Sequence, residues 1–351
     1  MFESLLRDWD GEETVVRFDE PSGSWMFVGV HSTILGPGMG GTRMKTYAEP
    51  ADGLRDVLRL SSAMTSKMAM ASVPLGGGKA VLGVPEIPQG QERRELLLRY
   101  GDLVESLHGT YVTACDMNTG PPDMDVIAER CSSVLGRTHA KGGSGTSAPN
   151  TAVGVFHAIR AAVAHAFGSD DLDGRTVAVQ GVGAVGGPLS RMLAQAGARL
   201  TLADVDDVRA KELGEELEAD LVPAENIAEA PCDVFSPCAT GGVLNAATIP
   251  NLRCRVIAGA ANNQLGEPAD AERLAGRGIL YAPDYVVNAG GVIHLVSYEM
   301  LDEGDAEVQT RLRGIGDTLG EVFACAEADG ISTGAAADAI VEQRLAAARS
   351  S

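Results

Sequence analysis

The stretch "TVAVQGVGAVGGPLSRML", beginning at Thr176, constrains this chain more than any other. It places Gly181, Gly183 and Gly186 in a G-x-G-x-x-G spacing, directly after an apolar strand and directly before a helix. That context makes the pattern a dinucleotide fingerprint. The glycines, with Ala184 and Val185 between them, let the backbone turn sharply and approach a pyrophosphate, which the helix N-terminus stabilises. The next strand, "RLTLAD", ends at Asp204, 18 residues after Gly186. A carboxylate there accepts hydrogen bonds from the ribose hydroxyls and repels a 2′-phosphate, which favours NAD over NADP. The upstream "GPGMGG" (36–41) matches the same spacing literally, but it contains Pro37 and leads into "TRMKTYAEPA", expected to be a polar loop. It is rejected as a nucleotide site.

Around this unit, strand candidates "DVFSPCA", "RVIAGAA" and "GILYAPDYVV" alternate with helical segments, which implies a parallel, doubly wound sheet. The first part of the chain mixes the strand "WMFVGVHSTIL" (25–35), helices over 52–70 and 92–107, and the strand "TYVTACD" (110–116). The Gly- and Ser-rich "KGGSGTSAPN" (141–150) reads as a connection and a hinge, with a helix beginning near Thr151. The expected architecture is α/β in two domains separated by a cleft. Residues 1–138 form an α/β substrate-binding and catalytic domain, with the C-terminal helices 325–351 packing back on it. Residues 139–324 form a Rossmann-type NAD-binding domain.

Composition narrows the class. With 28 basic and 48 acidic residues the net charge is −20, which argues against nucleic acid or an anionic membrane surface as a partner. No apolar run is long enough to span a bilayer, and the acidic N-terminus does not resemble a signal peptide. Six cysteines without C-x-x-C spacing suit reduced thiols, and the histidines show no metal-ligand spacing. A cytoplasmic protein without a structural metal is expected.

The segment "PLGGGKAVLG" raises a different question: three glycines precede a single lysine, Lys79. It is not a P-loop, because Val73 stands where a glycine is needed and Ala80 where Ser or Thr is needed. Lys79 is expected on a loop narrowed to make room for substrate. Lys67 interrupts an apolar helix segment, where an ammonium either snorkels or faces an anion. Asp116 ends a strand. If the three converge, they form a coherent redox site.

These segments together, "LGPGMGGTRM", "MTSKMAM", "PLGGGKAVLG", "TACDMNTGPPDMDVI", "VAVQGVGAVGG", "IAGAANNQL" and "GILYAPDYVVNAGGVIHL", resemble the glutamate, leucine, phenylalanine and valine dehydrogenases. The resemblance covers nearly the whole chain in the family's order, and several segments look most like actinobacterial phenylalanine dehydrogenase. It implies NAD-dependent, reversible oxidative deamination of an L-amino acid to its 2-oxo acid and ammonia, in a homo-oligomer. By matching motifs, Lys67 would hold the substrate carboxylate, Lys79 would be the general base activating water, and Asp116 would shuttle protons at the substrate nitrogen. Asn262 and Asn288 would orient cofactor or carboxylate. Thr151 would contact the nicotinamide amide, and Ala239 would lie along the cofactor. Met39, Gly40, Met64, Ala114, Val292, Leu295 and Val296 would line the side-chain pocket, which offers no charge to a glutamate substrate. Asn118, where leucine and valine enzymes commonly carry Gly, tilts the expectation toward phenylalanine. The alternatives are a branched-chain dehydrogenase with the same mechanism, a catalytically silent NAD-binding protein, and an amine or imine reductase. Retention of Lys67, Lys79 and Asp116 speaks against the last two.

Overall fold

The computed structural model describes residues 2–350, and the chain divides into two compact units. The first unit runs to Thr146 and includes Tyr298–Asp302 and the chain from Gln343 onward; the second comprises Ser147–Ser297 and Glu303–Glu342.

In the first unit a short helix α1 (Phe2–Arg7) precedes β1 (Glu13–Asp19), β2 (Ser24–Ser32) and β3 (Gly38–Lys45). Helix α2 (Pro50–Ala71), β4 (Gly76–Gly83), α3 (Gly90–Glu105), β5 (Tyr111–Cys115) and α4 (Pro121–Ile127) follow. The sheet order is β1-β2-β4-β3-β5, antiparallel at β1/β2 and β2/β4 and parallel at β4/β3 and β3/β5. Two segments differ from their expected state. "TRMK" is part of β3, and "GGGKAVLG" is β4, so both are interior strands of this sheet and not loops. Gly and Lys are poor strand formers, and tertiary pairing overrides that local preference.

Side chains alternate faces along a strand. One face of the sheet packs Phe27 and Val81 against Leu54, Val57 and Leu58 of α2. The opposite face packs Ala80, Leu82, Met44 and Tyr111 against Leu96, Tyr100, Leu103 and Val104 of α3 and Met124 and Ile127 of α4. Helix α2 begins with Pro at its first position and ends at Ser72 in the left-handed region, with φ 53°.

The second unit contains α5 (Ala148–Phe167), β6 (Thr176–Gln180), α6 (Gly186–Gln195), β7 (Arg199–Ala203), α7 (Asp207–Leu217) and β8 (Asp220–Leu221). It continues with β9 (Val234–Pro237), β10 (Val256–Ile257), α8 (Ala269–Gly276), β11 (Leu280–Tyr281), α9 (Asp284–Val287), α10 (Gly290–Glu299), α11 (Asp305–Asp329) and α12 (Thr333–Arg349). Its six strands are all parallel in the order β11-β10-β9-β6-β7-β8, the doubly wound Rossmann arrangement. "GILYAPDYVV" is a strand only over Leu280–Tyr281; Pro283 ends it, and Asp284–Val287 turns helical.

The expected return of 325–351 is confined to the end of α12. Residues up to Glu342 stay with the second unit, where α11 packs along α5 and the His165 and Phe323 rings meet at 4.9 Å. From Gln343 the chain joins the first unit, where Arg344 Nη1 donates to the Ala69 carbonyl at 3.0 Å. The Gly/Ser stretch straddles the division: from Ser147 it belongs to the second unit, and up to Thr146 to the first. There the Glu299 carboxylate accepts from the Gly136 and Ser144 amides, at 3.0 Å and 2.8 Å.

Candidate active site

In the first unit, strand register assembles the site. Met39 lies opposite Gly77 and Val112, and Gly41 opposite Ala114. Gly29 lies opposite Lys79, and Arg43 opposite Val81. With a period of two, Met39, Gly41 and Arg43 of β3, Lys79 of β4 and Ala114 of β5 share the face covered by α2, and Asp116 follows β5 on the same side. Lys79 is only 6 % exposed. Its Nζ stands 3.3 Å from Asp116 Oδ2, which also accepts from Arg43 Nε at 2.9 Å. Arg43 Nη1 donates to Asp56 Oδ2 at 3.0 Å, and the Tyr47 hydroxyl donates to the same oxygen at 2.7 Å.

Burial is the largest influence on Lys79 and lowers its pKa. The Asp116 carboxylate opposes that shift, and the Arg43 charge reinforces it. Burial pushes Asp116 the other way, yet the charges of Lys79 and Arg43 outweigh it and hold the carboxyl below its ordinary value. The arrangement therefore places an ionised carboxylate beside a lysine that deprotonates more readily than a free one, which is what proton transfer at a substrate needs.

The glycines before Lys79 have a different role from the one expected. A Cβ on Gly77 would sit 1.9 Å from Thr65 Oγ1, and one on Gly78 would sit 2.8 Å from the Tyr111 ring. Those glycines let α2 and Tyr111 pack against the sheet; they do not open space for a ligand. The close approach of Asp116 to β3 depends on Gly41, where a Cβ would lie 2.8 Å from Asp116 Cβ and 2.2 Å from the Cys115 carbonyl oxygen. Gly41→Ala should therefore lower stability by about 1–3 kcal/mol and displace Asp116 from Lys79. Denaturant unfolding and the rate of the purified variant check both effects.

The other nominated residues of this unit are distributed around that centre. Ala114 and Met39 are buried, Met64 and Lys67 are half-buried on α2, and Gly40 accepts from the Tyr111 hydroxyl at 2.5 Å. Asn118 has φ 60° and donates through Nδ2 to the Met44 carbonyl at 3.0 Å. Asn and Gly are the residues that best tolerate such a left-handed turn position. Arg43 and Asp56 were not nominated from the sequence. Recognising "GMGGTRMK" as a strand would have put Arg43 on the face of Met39.

In the second unit the loops after β6, β7 and β9 meet where the strand order reverses, the place such sheets bind dinucleotides. Gly181 has φ 88°, and a Cβ on it would strike Ala239 at 2.8 Å. Gly186 is crowded by the Gly181 carbonyl oxygen at 1.9 Å. Gly183 is different: a Cβ there would meet only the tip of Arg209, at 4.0 Å. The protein does not use that space, as a backbone kept bare for a pyrophosphate requires. Asp204 caps the turn, accepting from the Val182 amide at 2.8 Å and the Asp206 amide at 2.9 Å. Arg209 pairs with Asp206 at 3.1 Å and lies 3.7 Å from Asp204. Two carboxylates against one guanidinium leave this end of the site negative, so the donor set fits NAD.

Asn288 and Asn262 come together: Asn288 Nδ2 donates to Asn262 Oδ1 at 2.9 Å, while Asn288 Oδ1 is buried without a hydrogen-bond partner. Such an orphaned acceptor suits a site that a ligand completes. The Thr151 hydroxyl donates to the Ser147 carbonyl at 3.0 Å in the first turn of α5. Val292, Leu295 and Val296 follow one another on a single stripe of α10. Among the described residues no group of three metal-ligating side chains gathers, and no helix is long and apolar enough to cross a membrane.

Two family models match the chain. One describes the dimerisation domain of the Glu/Leu/Phe/Val dehydrogenases and covers residues 22–133; the other, for glutamate/leucine/phenylalanine/valine dehydrogenase, covers 142–214 and 201–349. The chain is 44% identical over 347 residues to valine dehydrogenase of Streptomyces albus, covering 96% of this chain and 93% of that protein. It is 41% identical over 342 residues to leucine dehydrogenase of Thermoactinomyces intermedius, covering 97% and 92%. The crystal structure of L-tryptophan dehydrogenase from Nostoc punctiforme superposes with a TM-score of 0.86 at 38% identity, over 100% of both chains. With its Rossmann-type NAD unit and its buried lysine–aspartate pair, the chain belongs to the glutamate/leucine/phenylalanine/valine dehydrogenase family and is an NAD-dependent amino acid dehydrogenase.

Proposed function

We propose that the first unit binds and deaminates an apolar L-amino acid, giving its 2-oxo acid and ammonia, while the second unit holds NAD. The observation that carries this reading is the contact between buried Lys79 and Asp116 on the α2 face of the sheet. Lys67, on α2, pairs with the substrate carboxylate and fixes its orientation. NAD, held by the Gly181–Gly186 turn and Asp204, would supply the hydride acceptor for the substrate Cα. Lys79 in its neutral form takes a proton from the water that attacks the resulting imine carbon. Asp116 carries protons to and from the substrate nitrogen, which leaves as ammonia. Asn262 and Asn288 orient cofactor or carboxylate, and Thr151 contacts the nicotinamide amide.

The side chains nominated for substrate are Met39, Met64 and Ala114 in one unit and Val292, Leu295 and Val296 in the other. None is charged, which disfavours glutamate. Asn118 was the residue that tipped the choice toward phenylalanine, and its amide is engaged in a turn. Branched-chain substrates therefore come first, supported by the identities with leucine and valine dehydrogenases, and phenylalanine second, since flexible Met39 adapts to an aromatic group.

A homo-oligomer built on the first unit belongs to the same reading, because the model matching residues 22–133 describes a dimerisation domain. The six cysteines, none in a disulfide, suit a reducing cytoplasm. Initial rates of NADH formation at alkaline pH, with leucine, valine, phenylalanine and glutamate taken singly, test the proposal. Preference for leucine or valine supports the stated order, and preference for phenylalanine reverses it. A folded protein that binds NAD but turns over none of them overturns the function.

A further inference from the structure

Arg43 has no part in the mechanism so far, yet it occupies the centre of the site. Its side chain is 14 % exposed, and its guanidinium forks between two carboxylates, with Nε on Asp116 Oδ2 and Nη1 on Asp56 Oδ2. Asp56 is itself held by Tyr47 and by Arg59, whose Nη2 donates to Oδ1 at 2.9 Å. A chain of fixed polar contacts thus runs from α2 through Arg43 to Asp116. Because Lys79 addresses the same oxygen, Asp116 Oδ2 is shared between two cations.

We propose that Arg43 is a positioning residue for the deamination: anchored by Asp56, it holds the Asp116 carboxylate in place and competes with Lys79 for it, so that Lys79 is not locked as the sole counter-ion of Asp116. This rests on the roles given above to Lys79 and Asp116. A planar guanidinium suits the task, since it keeps its charge at every working pH and its donors are set in a rigid fork. Lysine at this position would supply charge without the two-sided grip.

The other ionisable groups facing this cluster set the sign of the expected effects. Tyr47 follows β3 and Lys67 stands on α2, while Tyr111 and Cys115 of β5 lie on the opposite face of the sheet. His31 on β2 is bonded to Asp10 and Thr65. Arg43 and Asp56 act on Lys79 in opposite directions, the cation favouring its neutral form and the carboxylate its charged form.

The test is the pH profile of kcat and kcat/KM for oxidative deamination in Arg43→Gln, Arg43→Lys and Asp56→Asn, with NAD affinity measured alongside. The rising acid limb should move to higher pH in Arg43→Gln, by about one unit, and to lower pH in Asp56→Asn. In Arg43→Gln, kcat should fall more than KM rises, while NAD affinity is unchanged. Arg43→Lys should restore the limb's position but only part of kcat, and it serves if Arg43→Gln does not fold. Limbs that stay in place, or that move the same way in both charge-removing variants, overturn the inference. Lys79→Ala in the same series separates the two levels. If it abolishes turnover while the Arg43 and Asp56 profiles do not move, the assigned function stands and Arg43 is merely structural. If Lys79→Ala retains full turnover, the role assigned to Lys79 fails, and the inference about Arg43 with it.

Discussion

In a Lys79→Ala variant, kcat for oxidative deamination should fall by about 10²–10⁴-fold, with NAD binding retained. The size follows from what the lysine contributes. It is a buried group on the α2 face that combines a depressed pKa with a direct contact to Asp116, so it gives up its own proton more readily than a free lysine and can then take one from water. Arg43 keeps Asp116 paired after the substitution, so no carboxylate is left buried and alone, and the fold should survive. NAD titration followed by fluorescence, together with stopped-flow rates, separates chemistry from binding. For the native protein the same argument predicts a kcat/KM that rises with pH through the lowered pKa of Lys79, because the neutral lysine is the active form. Loss of NAD binding in the folded variant would mean that Lys79 serves the cofactor and not the chemistry.

Gly183→Val should give the opposite phenotype, weakening NAD binding by about 10- to 100-fold while leaving the thermal stability of the NAD-free protein nearly unchanged. The three fingerprint glycines are not equivalent. Gly181 has a positive φ and packs on Ala239, and Gly186 is pressed against the Gly181 carbonyl, so side chains at either position disturb the fold itself. At Gly183 a side chain meets no protein atom closer than the tip of Arg209, so the cost falls on the bound dinucleotide. Gly186→Ala is the contrast: its melting temperature should drop without ligand, because a Cβ 1.9 Å from a backbone oxygen forces the turn to move. Equal loss of stability in both variants would remove the distinction. Calorimetry with and without NAD reads it directly.

The cofactor half was legible from local pattern. Strand, G-x-G-x-x-G, helix and a terminal Asp204 are contiguous in the chain, and their chemistry depends on neighbours a few residues away. The family, the NAD preference and the nomination of Lys67, Lys79 and Asp116 came from motifs of the same short range. In the first unit the sequence offered Lys67, Lys79 and Asp116 as separate candidates but not their arrangement. β3 and β4 carry glycine, lysine and arginine where strands usually carry β-branched side chains, so local preference pointed to loops. Only pairing within a five-stranded sheet made them strands, and only the register then put Arg43, Lys79 and Asp116 on one face.

The glycines show the same division. From sequence, Gly76–Gly78 looked like room made for substrate beside Lys79. In the fold their missing side chains admit Thr65, Tyr111 and the backbone of β2, while Gly41, distant in sequence, lets Cys115 and Asp116 approach β3. Asn118, weighed from sequence for substrate preference, adopts a left-handed turn conformation with φ 60° that only the fold reveals. Which chemistry the chain carries was thus settled by residue types at short spacing. How those residues meet was settled by tertiary structure, because strand register and the approach of α2 depend on contacts between segments tens of residues apart.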